Sequence, residues 1–176
     1  MDKASLDLLL GRSIRVDRGG PESRLGKLIA AKDDHFVVYS ENDGMLYYRT
    51  DHIKSLTLDT RDFVIETADP NAVQPPLPKY IDVNDFTSIV NEMLYHWVQI
   101  NRGGPEKIEG VLVEATDSHV TVIAGNEVIK VLSFHIRNIS YGLKKNNDQE
   151  KDKNNNQDKN SNKNEDKNSN KNEDKK

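Results

Sequence analysis

The chain has 176 residues, 35% apolar and 31% charged, with no cysteine; this is room for one ordinary domain or two small ones around modest cores. Disulfides, thiolate nucleophiles and cysteine-based metal sites are excluded together. The net charge of −4 is unevenly spread: residues 144–176 hold ten Lys and eight acidic residues, which leaves 15 basic and 21 acidic residues, a net of −6, for residues 1–143. A region that acidic is a poor default partner for nucleic-acid phosphates.

The start, MDKASLDLLLGR, is too short in its apolar part and too acidic for a secretory signal, which points to synthesis and retention in a cytoplasm. No apolar run approaches the roughly 18 residues needed to span a bilayer, so no membrane insertion is expected. DKASLDLLL reads as a short helix with Asp2 as its cap. Five short strands follow: SIRVDR, GKLIAAK, HFVVYSE, MLYYRTD and IKSLTLD. They are rich in β-branched and aromatic residues and separated by Gly, Asn or Asp. FVIET at 63–67 reads either as a further strand or as the entry to a linker. ADPNAVQPPLPK, with four of the six prolines, reads as a semi-rigid linker over 68–79.

The same order then recurs. DVNDFTSIVNEML reads as a helix capped by Asn84, followed by the strands WVQINR, GVLVEAT, HVTVIAG, VIKVLS and IRNISYG. From Lys144 onward only Lys, Asn, Asp, Gln, Glu and Ser occur, and DKNSNKNE at 158–165 repeats at 166–173. With no apolar surface to offset chain entropy, residues 144–176 are expected to be a disordered, hydrated tail.

DRGGPE at 17–22 and NRGGPE at 101–106 are the clearest sign of an internal repeat. An offset of 84 aligns Arg18 with Arg102, Gly26 with Gly110, Leu28 with Leu112, His35 with His119 and Val38 with Val122. After a one-residue gap in a hairpin loop, His52-Ile53-Lys54-Ser55-Leu56 meets His135-Ile136-Arg137-Asn138-Ile139. The pattern predicts a mainly β protein, a tandem duplication of a small Sm-like or SH3-like barrel, each preceded by a short helix, over 1–67 and 80–143. An intertwined β-sandwich built from both halves is the alternative.

Within the repeated turn, Gly19, Gly20 and Pro21, with Gly103, Gly104 and Pro105, supply tight-turn geometry. Gly26 and Gly110 stand where a bent strand lacks room for a side chain. That leaves Arg18, Glu22, Arg102 and Glu106. They either pair across their own turns or form complementary patches for docking between units or chains. A phosphate loop is disfavoured, since a strand rather than a GK[ST] helix follows the glycines.

His35, His119, His52 and His135 recur without metal-site spacing, and no nucleophile–base–carboxylate set can be assembled. Neither an enzyme nor a cofactor or metal site is expected. Trp97 is expected in the core. Sm-like folds often bind RNA, but the positions that would read bases hold Val37 and Thr121, and Ser55 and Asn138 stand where a glycine would follow the basic residue. Nucleic acid is therefore not an expected partner, and an Sm-like nucleic-acid regulator is the second functional reading.

RGGPESRLGKL with HIKSL, and HWVQINRGGPEKIEGVLVE with FHIRNIS, resemble the repeat region of the spore coat protein B family of endospore-forming bacilli over most of 6–145. The resemblance implies a structural component of the spore coat, in its outer layer, made in the mother-cell cytoplasm. It also implies contacts with other coat proteins and self-association. The family's repeats precede a serine- and lysine-rich tail that is phosphorylated. Here the tail holds only Ser161 and Ser169, enough for few added charges.

Overall fold

The computed structural model describes residues 1–60 and 79–142, all within one compact unit, Met1–Lys144. FVIET, all but Lys79 of the proline-rich linker and the low-complexity tail lie outside the described residues.

A five-residue helix, α1 (Lys3–Asp7), begins where Asp2 accepts the Ser5 amide at 2.8 Å. Five strands follow: β1 (Ser13–Val16), β2 (Arg24–Ala31), β3 (His35–Ser40), β4 (Gly44–Arg49) and β5 (Leu56–Leu58). The second half repeats the order with α2 (Phe86–Glu92), β6 (Trp97–Ile100), β7 (Ile108–Ala115), β8 (His119–Ala124), β9 (Glu127–Leu132) and β10 (Asn138–Tyr141). The cap of α2 is Asp85, not Asn84: its carboxylate accepts both the Ser88 amide and the Ser88 hydroxyl, at 2.8 and 2.9 Å. That exchange holds the Asp85 carboxyl below its ordinary range. Each half also places a 3-10 turn before its last strand, at Thr50–His52 and Ser133–His135, and the recurring His52 and His135 lie in these turns.

All ten strands join in one antiparallel sheet, ordered β5-β1-β2-β3-β4-β10-β6-β7-β8-β9. The pairings match between halves down to the bulge, which falls between Leu28 and Ala30 in one and between Leu112 and Glu114 in the other. The sheet does not close into two separate barrels. Instead β10 lies along the outer edge of β4, with Asn138 opposite Tyr48 and Ile139 opposite Tyr47. An edge occupied by the other half is no longer available to its own half.

Two apolar clusters fill the unit. One is confined to the first half and includes Leu6, Ile14, Val16, Leu28, Phe36, Leu46 and Tyr48. The other holds the second half's Ile89, Met93, Val98, Ile100, Leu112, Val122 and Ile139, and takes in Ala30, Val37 and Tyr47 from the opposite face of the first half's strands. The Tyr47 hydroxyl accepts the Ile81 amide at 2.8 Å, and Lys32 pairs with Asp82 at 2.8 Å, so the segment before α2 is fastened over that face. Trp97 is half-buried rather than central, packed where a Cβ on Gly142 would meet its ring.

Candidate interaction surface

The residue before each Arg-Gly-Gly organises the site. Asp17 and Asn101 have φ of 51° and 53°, the left-handed region that Asp and Asn tolerate best among residues with side chains. Their turned side chains reach the segment before the last strand. Asp17 accepts the amides of Lys54 (2.8 Å) and Ser55 (3.4 Å); Asn101 accepts the Arg137 amide (2.8 Å) and donates to the His135 carbonyl (2.8 Å). The next amide completes the clamp, from Arg18 to the Ser55 hydroxyl (3.1 Å) and from Arg102 to the Asn138 side-chain oxygen (3.0 Å). Both Asp17 and Asn101 are buried. They were missed as site residues, although a short polar side chain in the same register before both RGGPE motifs is a signal that the sequence carries.

Gly19, Gly20 and Gly103 have φ of 83°, 109° and 90°. Gly104 does not have positive φ; its constraint is contact, since a Cβ there would stand 2.8 Å from a Glu22 carboxylate oxygen. A Cβ on Gly26 would lie 2.6 Å from a Val38 methyl carbon, and one on Gly110 2.7 Å from a Val122 methyl carbon. Each would also strike a carbonyl oxygen of the neighbouring strand. Pro21 and Pro105 are exposed at the turns.

The four charged residues divide into two used and two unused. Glu22 does not pair with Arg18. Its carboxylate takes the Arg137 guanidinium from the other half and the Lys54 ammonium from its own, the latter at 3.0 Å. The Arg137 hydrogen bond holds the Glu22 carboxyl below the ordinary value of 4.5, against the opposing effect of burial and with Lys54 adding to the lowering. Arg102 crosses in the other direction, to Asp43 in the β3–β4 hairpin at 2.6 Å, and also donates to the Ser140 hydroxyl at 3.3 Å. Asp43 lies 3.2 Å from Arg24 as well. Arg18 and Glu106 are exposed, and their side chains form no ion pair with any described residue.

The two repeated turns thus meet at one end of the β4–β10 joint. Further ties bind it: the Arg49 amide donates to the Arg137 carbonyl at 3.0 Å, the Arg49 guanidinium to the Ser133 carbonyl at 3.1 Å, and the Phe86 amide to Asp34 at 2.9 Å. Buried His35 holds Asp34 from the other side at 2.7 Å, and the His52 and Phe134 rings meet edge-on with centroids 4.9 Å apart. Among the described residues, no group of histidines and carboxylates could hold a metal ion, and no helix is long and apolar enough to cross a membrane. The arrangement is a joint between the two halves of one chain.

The chain is 36% identical over 147 residues, 82% of its length, to spore coat protein B of Bacillus subtilis (strain 168). The chain belongs to the spore coat protein B family. The match spans 37% of that relative's length. No family model matches the chain, and no solved structure matches it. Membership in the spore coat protein B family agrees with the resemblance that the doubled RGGPE and HI[KR] segments carry.

Proposed function

We propose that the chain is a non-enzymatic building block of the bacterial endospore coat, assembling through protein–protein contacts of two duplicated β units. The reading rests on one observation: the repeated RGGPE and HI[KR] motifs, in a chain 36% identical to a protein named for the coat, are already used as a joint. Glu22 of one motif takes Arg137 of the other half, and Arg102 takes Asp43 in return. A surface that joins two halves within a chain is suited to joining chains.

In this reading the two units have the five-strand order of small Sm-like barrels, the proline-rich segment over 68–79 links them, and residues 144–176 form a hydrated tail. Coat proteins are the partners, and the outer layer, reached from the mother-cell cytoplasm, is the location. Tagging the full chain with a fluorescent protein tests this: a ring around the forespore is the expected result, and diffuse fluorescence throughout sporulation overturns it.

The second reading, an Sm-like nucleic-acid regulator, is weakened by the fate of its cations. Lys54 and Arg137 stand where the basic residues of such a fold are found, and both pair with Glu22. Salt-sensitive RNA retention at physiological ionic strength would restore it.

A further inference from the structure

The internal joint defines two complementary edges, and the chain displays a second, unused pair of the same kind. Within the molecule, the fourth strand of the first half, β4, receives the last strand of the second half, β10. Left over are β9, the fourth strand of the second half, and β5, the last strand of the first; among the described residues each stands at an end of the sheet with one neighbour, β8 or β1. We infer that β5 of a second copy of this chain adds to β9, repeating the β4–β10 joint between molecules. This deepens the coat-building reading and rests on it for its place in the cell; the edge pairing itself rests on the geometry.

The internal register predicts the external one. Tyr48 and Tyr47 face Asn138 and Ile139; their counterparts by the repeat place Val131 opposite Ser55 and Lys130 opposite Leu56 of the second copy. The Leu132 amide then donates to the Lys54 carbonyl of that copy, as Arg49 donates to Arg137. The charges fall out in the same way. Glu22 holds Arg137 across the internal joint, so Glu106, exposed, faces Lys54 of the incoming copy, whose side chain is 68% exposed. Arg102 holds Asp43 in the β3–β4 hairpin; Asn126 stands at the matching position of the β8–β9 hairpin, so the incoming Arg18 faces Asn126 and its exposed neighbour Glu127. The two motif charges that form no ion pair with a described residue are the two that this joint requires.

The β9 edge also exposes two apolar side chains beside Lys130: Val128 and Leu132 are 69% and 58% exposed. Their counterparts on the covered edge are Met45 and Arg49, and Met45 packs against the joined core. The external joint lacks one element of the internal one. Counterparts of Ala30, Val37 and Tyr47 are Glu114, Thr121 and Lys130, a polar face that no apolar segment can cover in the same way. Association between copies is therefore weaker than the internal joint and reversible. Because it is head-to-tail, each addition leaves one β9 and one β5 edge free, giving open chains or rings rather than a dimer with two-fold symmetry.

The test uses the purified full chain. Its mass by sedimentation should rise with concentration beyond a dimer. Arg18→Glu and Glu127→Arg should each raise the concentration for half-assembly by roughly fivefold, a surface ion pair's worth, and the double variant should recover it. Both sites are exposed, so circular dichroism and melting temperature report any loss of folding separately. Because the chain has no cysteine, Lys130→Cys and Leu56→Cys proteins provide a register test: mixed and oxidised, they should form a heterodimer, and Lys130→Cys protein alone should not cross-link. A monomer at every concentration, or cross-linking of Lys130→Cys with itself, overturns the inference. Ring-like localisation of the fluorescent fusion with no edge cross-link would leave the coat reading standing and remove only this joint.

Discussion

The two halves share strand order, pairing register, bulge position and the Asp/Asn clamp, yet their outer faces have opposite character. In the first half that face presents Ala30, Val37 and Tyr47, all under 9% exposed, beneath the second half's apolar cluster and the segment around Ile81. In the second half the same positions hold Glu114, Thr121 and Lys130. The Thr121 hydroxyl donates to Glu114 at 2.6 Å, and Lys130 and His119 approach the same carboxylate at 3.3 and 3.4 Å. Identical backbones therefore tolerate different chemistry according to what lies over them. Internal positions such as Leu28 and Leu112, fully buried in both halves, are held alike by packing.

Exchanging chemistry between the faces should break this comparison most severely. Ala30→Glu installs the second half's carboxylate at a covered site where Tyr47 stands in place of Lys130, and should cost more than about 3 kcal/mol in chemical denaturation. Glu114→Ala, the reverse exchange, should leave the denaturation midpoint almost unchanged because its site is open.

The close strand approach, by contrast, is common to both halves. Gly26→Ala and Gly110→Ala should each cost roughly 1–3 kcal/mol, since the added carbon meets a backbone oxygen that has little room to move. A large effect in one half and none in the other would mean that the two strands are not held equally close. The clamps rank next: Asp17→Ala and Asn101→Ala each strand buried amide donors, and about 1–2 kcal/mol should be lost by thermal denaturation at neutral pH.

The smallest effect separates the joined and free motifs. Glu22 has its folded-state pKa lowered below 4.5, chiefly by Arg137, so its contribution is present above that value and fades as pH falls through the lowered one. Glu22→Gln should reduce the difference in stability between pH 7 and pH 3 by under about 1 kcal/mol, given partial exposure and solvent screening. Glu106→Gln should leave the pH 7 stability of the dilute, unassembled chain unchanged, since its exposed side chain forms no ion pair with a described residue. Equal responses from both variants would contradict the division into used and unused charges.

The strand sequence was legible because alternating apolar residues and Gly/Asn/Asp punctuation are local signals, and because each half corroborated the other. The last strand of the first half is shorter than IKSLTLD suggests, beginning at Leu56, because the Asp17 clamp engages the Lys54 and Ser55 amides. Asp85 displaced Asn84 as cap through the three-residue spacing to Ser88. In the site, the repeated Gly-Gly-Pro spacing and the recurrence of the motif's Arg and Glu were readable. Their partners were not: Glu22 and Arg137 are 115 positions apart, and only strand pairing brings them together.

By itself the sequence determined the repeated elements, the constraint on Gly26 and Gly110, and the absence of any thiol chemistry, because each depends on residue type and short spacing. Only the tertiary structure decided that the strands form one sheet, that Arg102 and Glu22 serve the internal joint, and that Arg18 and Glu106 remain outside it. Edge pairing is made by backbone groups that every non-proline residue possesses, so residue identity alone does not say which edge accepts which strand.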